Sequence, residues 1–156
     1  MAGRLKAEIK QGKPFTSLEE EVLLNIQRTA DMFTRTITER LKPAGISPTQ
    51  YNVLRILRGA GDEGLSCSEI AERMVTKDPD ITRLLDRLED RELVTRTRQQ
   101  QDRRVITVRI TSAGLDILTG LDDMVSALNG ELLGHLGKKR LKTLIELLEA
   151  ARLSSS

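Results

Sequence analysis

Between Ser17 and Leu41 the apolar residues Val22, Ile26, Ala30, Phe33, Ile37 and Leu41 recur at steps of three and four. That spacing describes one face of a long helix, capped by Thr16 or Ser17 with Glu19 or Glu20 three residues on. Pro43 and Gly45 interrupt the pattern, so the helix ends near Lys42. Ser47-Pro48-Thr49-Gln50 marks a second start, with a capping serine, a first-turn proline and a glutamine placed to close a capping box. Val53, Leu54, Ile56 and Leu57 are its apolar positions, and it stops between Gly59 and Gly64.

Ser66-Cys67-Ser68-Glu69 is another capping box, opening a short helix through Ile70, Ala71 and Met74. Asp78-Pro79-Asp80 follows at once: Asp78 as cap, Pro79 in the first turn, and Asp80 as an acid that suits the helix dipole. The helix runs to about Glu92, with Ile81, Leu84, Leu85 and Leu88 on one side. Two short helices joined by a brief turn predict a helix-turn-helix. Beyond Leu93 the period changes. Val94 to Arg98 and Val105 to Ile110 are rich in β-branched residues and predict a hairpin whose tip, Gln99 to Arg104, is polar and basic. Thr111 then caps a long helix carrying Leu115, Leu118, Leu121, Val125, Leu128 and Leu132. A last helix spans Lys138 to Arg152 with Leu141, Leu144, Ile145 and Leu148, and Ser154 to Ser156 reads as a frayed tail.

The predicted fold class is therefore mainly α with a small β-hairpin wing: a winged helix-turn-helix over 47–110, flanked by long terminal helices over 17–42 and 111–153. The 156 residues suit a single domain. The terminal helices carry leucine stripes longer than one winged helix can cover, so the same stripes predict a homodimer. Charged residues make up 31% of the chain and the net charge is only +2, so any nucleic-acid footprint must come from local clustering. Cys67 is the only cysteine and His135 the only histidine, which excludes an intrachain disulfide and a Cys/His zinc site within one chain. His135, between Gly134 and Gly137, reads as a solvated turn residue. No cofactor is implied. The N-terminal segment has no apolar core and no run is long enough to span a bilayer, so no membrane association and a cytoplasmic location are expected.

Projected at about 100° per residue, Pro79, Arg83, Asp86, Arg87 and Asp90 face away from the apolar side of the second short helix, flanked by Asp80 and Thr82. A helix with a polar outer face and an apolar anchor fits the major groove of duplex DNA. The competing reading is a solvated face of ion pairs at helical spacing. Arg96, Arg98, Arg103 and Arg104, with Asp102 as the only acid among them, suit phosphate backbone and minor groove. The competing reading there is an edge strand protected by charge. The expected double-stranded DNA contacts are Thr82 and Arg83 in the major groove, Ser66 and Ser68 on phosphate, and Arg103 and Arg104 on the wing. Lys77, Asp80 and Arg87 lie beside them.

The run Ile81-Thr82-Arg83-Leu84-Leu85-Asp86-Arg87-Leu88-Glu89, then Leu93-Val94, then Asp102-Arg103-Arg104-Val105-Ile106-Thr107-Val108-Arg109-Ile110-Thr111-Ser112-Ala113-Gly114, resembles the MarR family of bacterial and archaeal regulators. The resemblance extends over about Ser17 to Arg152, and its most specific part is the Asp-x-Arg wing followed by a strand ending in Thr-x-x-Gly. It implies a triangular dimer, Arg104 in the minor groove and Asp102 bracing the wing. One departure is Glu92, where the family commonly has Gly. A left-handed backbone there costs a non-Gly residue about 1 kcal/mol.

The resemblance also implies a small, often phenolic or anionic, effector held between the dimer helices and the reading head. Phe33, Ile37, Tyr51 and Leu54 are the candidate lining, with core packing as the other role for each. Cys67, in the first turn of a helix, is a candidate redox switch. Its place argues against that role, because oxidation-sensing relatives carry their cysteine near the start of the first long helix. No Gly-rich phosphate loop, nucleophile elbow or His/Asp constellation points to an enzyme. The expected function is a sequence-specific regulator, of repressor type, on a near-palindromic operator. The rival is a winged helix that binds protein, or DNA without sequence preference.

Overall fold

The computed structural model describes residues 3–153; the expected tail, Ser154 to Ser156, lies outside the described residues. The long first helix is α2 (Leu18–Leu41), capped by Ser17, whose Oγ accepts from the Glu20 N–H at 3.1 Å. A single helical turn, α1 (Leu5–Glu8), precedes it without any sign in the apolar spacing. Its Leu5 is buried, and Glu8 pairs with Arg28 of α2 at 3.0 Å. Next comes α3 (Pro48–Ala60), with its capping box complete: Gln50 N–H donates to Ser47 Oγ at 3.1 Å, and Ser47 N–H to Gln50 Oε1 at 3.0 Å.

The strand β1 (Leu65–Ser66) runs directly into α4 (Cys67–Arg73). The second helix of the motif, α5 (Ile81–Asp90), begins later than its sequence signal suggests. Its cap is Asp80, which accepts the Arg83 N–H at 3.0 Å, and not Asp78. Asp78 accepts the Asp80 N–H at 2.8 Å, so Pro79 lies in the turn before the helix and outside its first turn. Aspartate side chains favour such local bonds in turns and at caps alike, and only the backbone path decides between two neighbouring ones.

The hairpin is β2 (Val94–Arg98) with β3 (Ile106–Ile110), in antiparallel register from Val94 opposite Ile110 to Arg98 opposite Ile106. β1 adds a third strand on the far side of β3, giving the order β1-β3-β2. Two residues are too few to show alternation, which is why this strand has no sequence signature. Gly64 permits the join: its φ is +69°, in the left-handed region, and a Cβ there would collide with the Val108 carbonyl oxygen. The chain closes with α6 (Ser112–Leu133) and α7 (Gly137–Leu153), joined by a turn holding exposed His135. Among the described residues no helix is long and apolar enough to cross a membrane.

One core joins α3, α4, α5, the sheet and α6 through Val53, Leu54, Leu57, Ile70, Leu84, Leu85, Leu88, Val94, Val108 and Leu118. By contrast Leu18, Val22, Leu23 and Ile26 of α2 and Leu144, Ile145 and Leu147 of α7 are exposed in the single chain.

Two local devices set where the wing leaves the core. Glu92 ends α5 in the left-handed region at φ 59°, and the Leu93 N–H closes on the Leu88 carbonyl at 3.0 Å. Thr111 Oγ1 donates to the Glu92 carbonyl at 2.7 Å and accepts the Gly114 N–H at 3.1 Å, so one hydroxyl caps α6 and ties it to that turn. Gly114 must be small, because a Cβ there would lie 2.6 Å from the Leu93 carbonyl oxygen. These contacts are the physical content of the Thr-x-x-Gly signature. The second device is Arg96 of β2, half-buried, whose Nη2 pairs with Asp86 at 2.6 Å and Glu89 at 2.9 Å on α5. Its backbone N–H also donates to Glu89 at 3.0 Å. Arg96 holds the Glu89 carboxyl below the usual carboxylate range.

Glu92→Gly should raise stability by up to about 1 kcal/mol, and Gly114→Ala should lower it by about 1–3 kcal/mol, both read from urea denaturation at one fixed protein concentration. Arg96→Met should lower stability by about 1 kcal/mol at pH 7, the carboxylates being partly exposed. Because the folded Glu89 titrates below its ordinary value of 4.5, that contribution is full above pH 4.5 and is lost as pH falls through the folded value. The gap between wild type and Arg96→Met should therefore close on acidification; a gap unchanged at low pH would assign the effect to packing.

Candidate nucleic-acid interface

The amphipathic division of α5 is sharp. Leu84, Leu85 and Leu88 are buried, whereas Thr82, Arg83, Asp86, Arg87 and Asp90 are exposed. The ion-pair arrangement that helical spacing would allow does not form along the helix. Asp86 and Glu89 turn to Arg96 on β2, and among the described residues neither Arg83 nor Arg87 makes an ion pair. Drawing Asp86 and Glu89 to the sheet leaves Arg83 and Arg87 on the outer face without an ion pair, with Asp80 and Asp90 exposed beside them. Asp80, Arg83 and Arg87 also line one open cleft of about 600 Å³ between α5 and the start of α3. Lys77 is exposed in the turn that leads to α5.

The wing arginines divide into two kinds. Arg96, counted in the sequence with the free basic cluster, does not belong to it, because its charge is met by Asp86 and Glu89. Arg98 donates from Nη1 to the Arg103 carbonyl at 2.8 Å and so ties the two limbs of the tip together. Arg103 and Arg104 stand exposed at that tip. Asp102 accepts the Arg104 N–H at 3.0 Å through Oδ1, and its carbonyl accepts the Val105 N–H at 3.0 Å, which turns the chain back into β3. Arg109 ties the far side of the hairpin to the preceding loop, donating to the Asp62 carbonyl and to Thr97 Oγ1, each at 2.9 Å.

At the start of α4 the Ser66 hydroxyl is occupied by the cap: it accepts the Glu69 N–H at 3.2 Å and donates to the Glu69 carboxylate at 3.1 Å. Ser68 is exposed, with its hydroxyl 3.3 Å from that of Ser66. Cys67 between them is half-buried and packs against the core.

A second cleft of about 600 Å³ lies between α2, α3 and α6. Ile37 and Tyr51 line it; Phe33 and Leu54 do not. Leu54 is fully buried because it points into the core shared with α5, and the α2 wall is formed by Thr34, Ile37 and Leu41, a helical stripe that leaves Phe33 to one side. Arg55, which no sequence signal singles out, enters the lining with its guanidinium carbon 5.9 Å from the Tyr51 ring centre. Asn52 is a further lining residue, and its Oδ1 accepts the Val75 N–H at 2.8 Å, which fastens the segment before α5 to α3. No spacing rule links positions so far apart in the chain.

The same reading head and wing occur in known proteins. The MarR family model matches residues 46–106, the segment from just before α3 to the first residue of β3. Over 102 residues the chain is 35% identical to the HTH-type transcriptional repressor MdtR of Bacillus subtilis, covering 65% of this chain and 64% of that protein. The chain thus spans just under two thirds of the length of that curated relative. Its fold superposes on the MarR transcription factor from Planctomyces limnophilus with a TM-score of 0.68 and 42% identity, covering 88% of this chain and 99% of that one. It also superposes on a mutant of E. coli MarR complexed with operator DNA, with a TM-score of 0.79 and 25% identity over 89% of this chain and 99% of that one. The family match across the reading head and the full-length likeness to the Planctomyces protein agree with the Thr111–Gly114 junction and the wing, and the chain belongs to the MarR family of winged-helix regulators.

Proposed function

We propose that this chain is a sequence-specific regulator of transcription that binds double-stranded DNA as a homodimer, represses from a near-palindromic operator and is released by a small effector. The observation that carries the reading is the pair of uncompensated guanidinium groups, Arg83 and Arg87, on the outer face of α5, beside a wing tip bearing Arg103 and Arg104. In this reading Thr82 and Arg83 meet base edges, Arg87, Lys77 and Ser68 meet phosphate, and Arg104 enters the minor groove with Asp102 shaping the tip that presents it. Ser66 acts by orienting α4. The relatives support it: MdtR is a repressor, and the E. coli MarR structure contains operator DNA.

The dimer is the cover for the exposed apolar residues of α2 and α7, over helices 17–42 and 111–153. A two-fold dimer presents two copies of α5 to one face of the duplex, so half-sites should lie about 10 to 10.5 bp apart. The cleft lined by Ile37, Tyr51 and Arg55 suits a small anionic effector with an apolar body. An effector would act by favouring one separation of the reading heads over another.

Selection from a random duplex library should return a near-palindrome bound far more tightly than random DNA, with a steep salt dependence. Arg104→Ala should weaken operator binding about tenfold or more and reduce the salt slope by about 2, because the dimer loses one such contact in each half-site. Wild-type affinity in that variant, with no consensus from the selection, would favour a protein-binding or nonspecific module instead.

A further inference from the structure

Asp80 sits at the tip of the helix that, on the proposed DNA-binding function, enters the major groove, and the role assigned to it here rests on that function. A cap requires only a side-chain oxygen, and serine or asparagine supplies one as well as aspartate does. A carboxylate at this place brings a negative charge toward a polyanion. The N-terminus of α5 offsets part of that charge, but among the described residues no cation forms an ion pair with Asp80, since Asp86 and Glu89 share Arg96.

The side chain is also held in place. Oδ1 accepts the Arg83 N–H at 3.0 Å, and the residue's own N–H is held by Asp78 at 2.8 Å. Oδ2 accepts no hydrogen bond from the described residues, and Asp80 is exposed and lines the same cleft as Arg83 and Arg87. Major-groove base edges offer a fixed acceptor of this kind two donors, the exocyclic amino groups of cytosine and adenine. Guanine and thymine present O6 and O4, which repel it. Cytosine suits a lone acceptor better than adenine, whose amino group lies beside the N7 acceptor.

We infer that Asp80 is a specificity-determining residue that accepts a hydrogen bond from the exocyclic amino group of a cytosine in each operator half-site, alongside the base read by Arg83. The carboxylate both selects cytosine and penalises guanine and thymine at one position.

Duplex selection with the full chain, run in parallel on wild type, Asp80→Asn and Asp80→Ser, tests this. Both substitutions keep a cap-competent side chain, and thermal unfolding confirms that each variant is folded. The wild-type consensus should contain a fixed cytosine. Asp80→Asn should move the preference at that position to adenine, since an amide pairs with adenine N6 and N7 together, and should change the ratio of affinities for the two operators about tenfold or more. Asp80→Ser should relax that position and leave the rest of the consensus intact. One consensus common to all three proteins, or a uniform gain in affinity for every duplex without a change of preference, would overturn the inference while leaving DNA binding in place. Absence of any consensus from wild type would overturn both.

Discussion

The burial of Leu84, Leu85 and Leu88 is the constraint on which the rest of the structure depends. Each such side chain contributes about 1.5–3 kcal/mol when fully removed from water, so α5 cannot rotate about its axis without losing most of its anchorage. Its outward residues are thereby decided. Arg83 and Arg87 face solvent because leucines at the intervening steps face the core shared with Val53, Leu54, Leu57 and Ile70. A helix held this way presents a fixed surface, which is what a groove reader needs.

Electrostatics then sorts the charges on that surface. Taken alone, α5 carries acids and bases side by side, and its arginines would have carboxylates within helical reach. Arg96 draws away Asp86, the carboxylate one turn from Arg83, by approaching from the adjacent strand, and pairs with Glu89 as well. The same contact seats the hairpin on the helix, so the position of the wing and the release of Arg83 from Asp86 have one cause. The turn between them is built from Glu92 in a left-handed conformation, held by the Thr111 hydroxyl and closed over Gly114. Glycine at that turn is the easier solution; glutamate is tolerated because the surrounding hydrogen bonds over-determine the backbone.

Much of this is legible in the chain. The capping serines Ser17, Ser47 and Ser66 and the cap Thr111 stand where their sequence contexts point, because a cap needs only the few residues around it. The period change after Leu93 announces the hairpin for the same reason. What misleads is equally local: Asp78 and Asp80 are both good caps, and sequence rules do not choose between them. Arg96 looks like its neighbours in the sequence because its partners come from another element. Leu54 looks like a cavity residue because the face of α3 that meets α5 and the face that meets the cleft are separated by only one helical step.

Periodicity, capping and composition within a few neighbouring residues specify the winged-helix class, the order of its helices, the hairpin and the place of the basic tip. The tertiary structure alone decided which charges are free, which apolar residues line the cleft and which remain uncovered, and that the short strand at Leu65 completes the sheet. Those properties depend on contacts between residues distant in the chain, where direction and distance in space, and not spacing along the backbone, set the interaction energy.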